Sequence, residues 1–142
     1  MITVLSPAKT LDYSVNYTDK HTVPSFLPKS SLLVKTLKAK EPSEIASLMG
    51  LSDKLASLNF DRYQSWNASK KLSNTAKPAL LVFKGDVYQG LQAEDFNKQD
   101  MTFAQKHLRI LSGLYGALKP LDVMKPYRLS LIHISEPTRR RT

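Results

Sequence analysis

The sequence predicts a mixed α/β or α+β fold, and three observations carry that prediction. Two short apolar runs, Ile2 to Leu5 and Ala79 to Phe83, have the length and side chains of buried strands. Leu32, Leu33 and Leu37, then Ile45, Leu48 and Met49, then Leu55, Leu58, Tyr63 and Trp66 recur at helical spacing. Hydrophobic residues make up 42% and charged residues 23% of 142 residues, which suits one globular domain and not a disordered chain.

Taken in order, Ser6-Pro7 stops the first strand. Residues 13–27 are polar, with Pro24 and Pro28 as breakers, and read as an extended excursion. Pro28 suits the first position of a helix carrying Leu32, Leu33 and Leu37, with Lys29, Lys35 and Lys38 on its other faces. Pro42-Ser43 opens a second helix, with Ser43 as cap and Gly50 as terminator. Ser52 caps a third, in which Asn59-Phe60-Asp61 is the expected break or kink.

A polar loop at 67–77 leads into the second strand, and Gln89 to Phe96 reads as helix. Phe103, His107, Leu108 and Leu111 share one face of a last helix running into Ser112-Gly113. Two strands make a poor sheet, so their partners are expected beyond Arg128, and the chain reads as the incomplete half of a larger single domain. A half-domain would expose apolar surface and unpaired strand edges, so poor solubility is expected of it.

Residues 129–139 read Leu-Ser-Leu-Ile-His-Ile-Ser-Glu-Pro-Thr-Arg, which resembles the in-frame translation of a transposon-type sequencing adapter. The expected division is therefore a native part, 1–129, and a non-native tail, 130–142. Net charge is +9; removing three Arg and one Glu with the tail leaves 18 − 11 = +7, so the basic excess belongs to the native part. Such a field attracts polyanions, most simply a phosphate backbone; the alternative is a soluble enzyme whose missing half carries the balancing acids.

The absence of cysteine excludes disulfides, thiolate metal sites and thiol catalysis, and is compatible with a reducing cytoplasm. No apolar run approaches the length of a membrane span, and the N-terminus lacks the pattern of a signal peptide. Neither a cofactor nor a metal site is expected, since His21 and His107 lie far apart without acidic companions.

Chemistry is most readily placed at the ends of the two strands. Lys9, Thr10 and Asp12 follow the first, while Lys84, Gly85 and Asp86 follow the second. Gly85 is expected to permit a turn closed to other residues. If both loops meet at one sheet edge, the lysines could clamp a phosphate or nucleobase ligand and an aspartate could act as base. The bland alternative is two ordinary turns with solvated charges. Leu111-Ser-Gly-Leu-Tyr-Gly-Ala-Leu-Lys119 has the character of a helix–hairpin–helix turn, although Gly113 and Gly116 are three apart where the usual motif has two; the alternative is a tight turn between packed helices.

Ser6-Pro-Ala-Lys-Thr-Leu-Asp12, Leu51-Ser-Asp-Lys-Leu55, Phe83-Lys-Gly-Asp-Val-Tyr88 with Gly90-Leu91, and Leu111 to Gly116 continuing through Pro120-Leu-Asp122 and Pro126-Tyr-Arg128 resemble the bacterial peroxide stress protein YaaA family in order and spacing. The likeness covers residues 1 to about 129. It implies a cytoplasmic protein of the peroxide response that helps to limit free iron and oxidative DNA damage. It further implies double-stranded DNA binding through a positive cleft and a helix–hairpin–helix element, carried here to Leu111 through Lys119 with Gly113 and Gly116; Lys119, Lys125 and Arg128 supply the nearby positive charge for phosphate contacts. The family supplies no catalytic residue, so Lys9, Asp12, Lys84 and Asp86 stand as candidates for a rival reading, an enzyme acting on a nucleotide or damaged nucleobase.

Overall fold

The computed structural model describes residues 1–127. Arg128 and the segment assigned to a non-native tail lie outside the described residues. The fold class is mixed α/β, as the sequence predicts, but the central sheet is assembled differently.

Strand β1 (Thr3–Leu5) pairs in parallel with β5 (Leu108–Ser112), which pairs antiparallel with β6 (Gly116–Leu118), in the order β1-β5-β6. The partners of β1 are therefore present within the described residues, contrary to the expectation that they lie beyond Arg128. The sequence hid β5 because Leu108 and Leu111 sit at helical distance from Phe103 and His107. In fact the helix α6 (Lys98–His107) ends at Leu108, whose φ of −110° and ψ of 142° are those of a strand. From there burial alternates: Ile110 and Ser112 point inward, while Leu111 is exposed.

Ala79 to Phe83 departs from expectation in the opposite sense. Residues Ala79–Val82 form a single helical turn, α4, and only Phe83–Lys84 continues as the short strand β4. All four residues of α4 are buried, so the run has no polar face whose period could separate helix from strand.

Three helices pack on one another and share the core with the sheet. Helix α1 (Leu27–Lys38) has Pro28 in its first turn and buries Leu27, Ser30, Val34 and Leu37, leaving Leu32 exposed. Ser30 is tolerated inside because its hydroxyl donates to the Leu114 carbonyl at 2.9 Å. Helix α2 (Pro42–Met49) is capped by Glu41 and not Ser43: Glu41 and Glu44 form a reciprocal capping box, and Ser43 lies inside the first turn. Gly50 ends it in the left-handed conformation, φ 63°.

Helix α3 (Asp53–Ser65) is capped by the Ser52 hydroxyl and runs unbroken through Asn59-Phe60-Asp61. Asn59 escapes its usual preference for turns because its amide donates to the Leu55 carbonyl one turn back, at 2.9 Å. The expected helix over 89–96 appears as α5 (Asp86–Leu91), a left-handed Gln92 and a 3₁₀ turn, Ala93–Asp95.

Strand β2 (Thr10–Leu11) pairs antiparallel with β4, and β3 (Lys77–Pro78) with β7 (Val123–Met124). The polar excursion between them is held by Asp122, which is fully buried. Asp122 accepts from the Thr22 hydroxyl and from the Lys119 amide, and Thr22 bonds in turn to Gln105 on α6. This accounts for the Pro120-Leu-Asp122 motif: it fastens residue 22 to the sheet.

The turn between β5 and β6 is closed by one side chain. Ser112 Oγ accepts from the amides of Leu114 (3.2 Å) and Tyr115 (2.9 Å), which occupies both lone pairs. Its proton is then left for Tyr127 Oη at 2.5 Å. Tyr115 Oη accepts from Trp66 Nε1 and from the Lys125 amide. Gly116 follows with φ +80°, and a Cβ there would come within 3.0 Å of the Phe26 ring. Replacing Ser112 with Ala leaves two buried amides unpaired, and we expect a loss of about 2–4 kcal/mol. Urea unfolding followed by circular dichroism measures it, and an unchanged midpoint would refute this account of the turn.

Candidate functional site

The Ser6–Asp12 and Phe83–Asp86 segments do come together. Thr10 stands opposite Lys84 and Leu11 opposite Phe83, and the Asp12 amide donates to the Val82 carbonyl at 2.9 Å. Tyr88, on α5, reaches back to donate to the Ser6 carbonyl at 2.6 Å. Burial raises the Tyr88 phenol to about 12, so it is a neutral donor at physiological pH.

Gly85 is not needed for a special turn. Its φ of 162° is extended backbone, and a Cβ would meet the Ala8 side chain only at ordinary contact, 3.4 Å. The expectation of a glycine-only geometry at this position is therefore corrected.

Of the four candidate side chains, Asp12 is the most constrained. Its Oδ1 accepts from both the amide and the hydroxyl of Ser14, and these bonds lower its pKa below the ordinary carboxylate value; Lys84 and Lys77 lower it further. A carboxylate so stabilised is a poor proton acceptor and a good fixed negative charge. Lys84 is half-buried opposite Thr10, whereas Lys9 and Asp86 are exposed. Asp86 opens α5, where its charge complements the helix dipole.

Lys77 belongs to this site, and the sequence reading missed it. Its ammonium donates to the carbonyls of Tyr13 and Val15, pinning the chain just after Asp12. The Tyr13 hydroxyl donates to the Met124 carbonyl at 2.8 Å. Burial pushes its pKa well above the usual phenol value. Lys77 lies in a stretch assigned to loop, and only its pairing with β7 brings it here.

The segment from Leu111 to Lys119 is a β-hairpin, with strands on both sides of the turn, and not a helix–hairpin–helix element. The Leu114 and Tyr115 amides are already taken by Ser112 Oγ, so they are not offered to a phosphate. Gly113 lies in the turn, and Gly116 serves close approach to Phe26. Lys119 and Lys125 are both half-exposed but stand in different surroundings. Lys119 flanks the turn closed by Asp122, while Lys125 borders a cleft of about 210 Å³ with Arg62, Asp61 and Thr75.

The outward face of α6 is a further feature missed in the sequence. Lys98, Gln99, Thr102, Phe103, Lys106 and His107 line an open groove of about 410 Å³. Phe103 was expected on the packed face, but it is 65% exposed and lies against the His107 ring at 4.3 Å. The inward side of the helix is Ala104, with Gln105 reaching the Thr22 network.

Among the described residues, no three or more His, Cys, Asp or Glu side chains gather as a metal site. None of their helices is long and apolar enough to cross a membrane.

We expect Ser14→Ala to return the Asp12 pKa toward its ordinary value, read by carboxyl carbon NMR across an acid titration. Because the folded pKa is depressed, the stabilisation that Ser14 lends is present above the unfolded value of 3.8 and is lost as pH falls through the folded one. An unmoved Asp12 titration in the variant would remove Ser14 as the cause. Compared with known families, residues 1–140 match the family model described as "Peroxide stress protein YaaA", a span that takes in most of the segment set aside as a tail.

Proposed function

The chain belongs to the peroxide stress protein YaaA family, and from that premise we propose that it binds double-stranded DNA in the cytoplasm and helps to limit free iron and the oxidative DNA damage that iron drives. The observation that carries this reading is charge: residues 1–129 hold a net +7, which is a polyanion-attracting field. The contacts in this reading come from side chains. Lys125, beside Arg62 on the rim of a shallow cleft, is the leading phosphate ligand, with Lys119 and Arg128 as neighbours in sequence. The backbone amides of Leu114 and Tyr115 have no part in it, because Ser112 uses them. Such contacts hold duplex DNA without reading its bases. The reading assigns no iron ligand and treats restraint of iron damage as a consequence of occupying DNA.

A second reading is favoured by the pairing of β2 with β4, which gathers Asp12, Lys77 and Lys84 within electrostatic reach. There the protein acts on a nucleotide or damaged nucleobase. Lys84 supplies an electrostatic clamp, and Lys9 a mobile one. Asp86, exposed and free of the Ser14 bonds that stabilise Asp12, is the better candidate base. Under this reading Asp86→Asn abolishes peroxide protection while leaving DNA affinity and folding intact.

The principal test is a salt titration of duplex binding by fluorescence anisotropy. Each phosphate contact contributes about 0.9 to the slope of log affinity against log salt. We expect Lys125→Ala to reduce that slope by about 1 and to weaken all duplex sequences alike. A slope unchanged in the variant removes Lys125 from the interface, and no binding at low salt defeats the reading.

A further inference from the structure

We infer that the outward face of α6 binds a single-stranded stretch of nucleic acid, one base stacking on Phe103 while Lys98 and Lys106 hold the flanking phosphates. The inference deepens the nucleic-acid reading above and rests on it, but it concerns a different surface and a different state of the strand.

The geometry begins with the helix period. Lys98, Thr102 and Lys106 stand four residues apart in one row, and Gln99, Phe103 and His107 in the next. The two lysines are thus about 12 Å apart along the axis by helical rise, with Phe103 between them. Every residue lining the groove is cationic, neutral polar or aromatic, with no carboxylate. Its complement is a chain of negative charges that also offers a flat apolar face, which describes an unpaired nucleotide strand.

Helix stability does not explain the arrangement. Lys106 and His107 complement the negative end of the α6 dipole, but Lys98 is a cation in the first turn, where the dipole opposes it. Phe103 gains little from the fold while 65% exposed, since most of its ring remains in water. The ring has an aromatic neighbour. It lies against the His107 ring at 4.3 Å, and His107 Nδ1 is 2.9 Å from the Met1 carbonyl. An exposed ring backed on one side by a neighbouring ring offers its free surface as a stacking platform for a base. Bases within a duplex have their faces covered by their neighbours, so this platform selects an unpaired strand.

The test uses the full chain, with fluorescence anisotropy of a labelled oligo(dT) strand and an abasic strand of equal length. Wild-type protein should bind oligo(dT) about tenfold more tightly than the abasic strand, one stacked base being sufficient for that ratio. Phe103→Ala should erase the difference, and Phe103→Trp should keep it. Lys98→Ala should weaken both strands equally. Duplex affinity should be unmoved by Phe103→Ala, so the duplex reading and this one fail separately. Equal binding of the two strands by wild type overturns the inference, as does Phe103→Ala with its preference intact. It is also overturned if Phe103→Ala only changes the sedimentation of the protein, which would make this face a contact between copies. Phe103 is exposed, so the variants should fold as wild type does, and circular dichroism verifies that they have.

Discussion

The parallel pairing of β1 with β5 is the constraint on which the rest of the structure hangs. It joins Thr3 to Leu108 and Leu5 to Ile110, so about a hundred residues lie within the loop it closes. Closing so long a loop costs entropy, and the cost grows only slowly with length. The return comes from burying Ile110, Leu118 and Phe83 against the α1 and α3 side chains in one continuous core. From β1 the chain leaves at Ser6, whose carbonyl is held by Tyr88 of α5, and runs on to β2, which pairs with β4. The meeting of Asp12 with Lys84 follows from that placement.

Polar groups do as much to define the fold as apolar ones. Ser112 closes the β5–β6 turn, Asp122 ties the polar excursion to the sheet, and Lys77 pins the chain after Asp12. Each is a buried or half-buried group with at least one partner distant in sequence: Tyr127 for Ser112, Thr22 for Asp122, and the Tyr13 and Val15 carbonyls for Lys77. Such interactions specify one arrangement because every misplaced alternative leaves an unpaired donor. The tyrosines obey the same logic: burial raises the Tyr115 phenol to about 12, so its hydroxyl is neutral where Trp66 and Lys125 donate to it.

Local signals in the sequence were legible and distant ones were not. Helices α1, α2 and α3 could be read from spacing and from Pro28, Gly50 and Ser52, because a helix is built from contacts a few residues apart. The cap of α2 was misplaced by two residues because Glu41 and Ser43 are both plausible beside Pro42, and only the reciprocal bonds distinguish them. Strand β5 was lost inside an apparent helix face, and α4 inside an apparent strand, since short apolar runs carry no period of their own. The glycines of the 113–116 turn suggested phosphate binding, and no sequence pattern reveals that Ser112 already holds the neighbouring amides. At the candidate site, Asp12 and Lys84 were found through their strand-end positions. Lys77 and the α6 face were missed because their settings are set by tertiary packing.

The central claim is that the Ser112-closed hairpin is a fold element and that nucleic acid meets side-chain cations elsewhere. Amide hydrogen exchange, with and without duplex DNA, tests it most directly. The account requires slow exchange at Leu114 and Tyr115 in the free protein, unchanged on adding DNA, with new protection confined to the backbone near Lys125. Fast exchange at Leu114 and Tyr115 that becomes protected only when DNA is bound would contradict it, and would return the turn to the role of a phosphate grip.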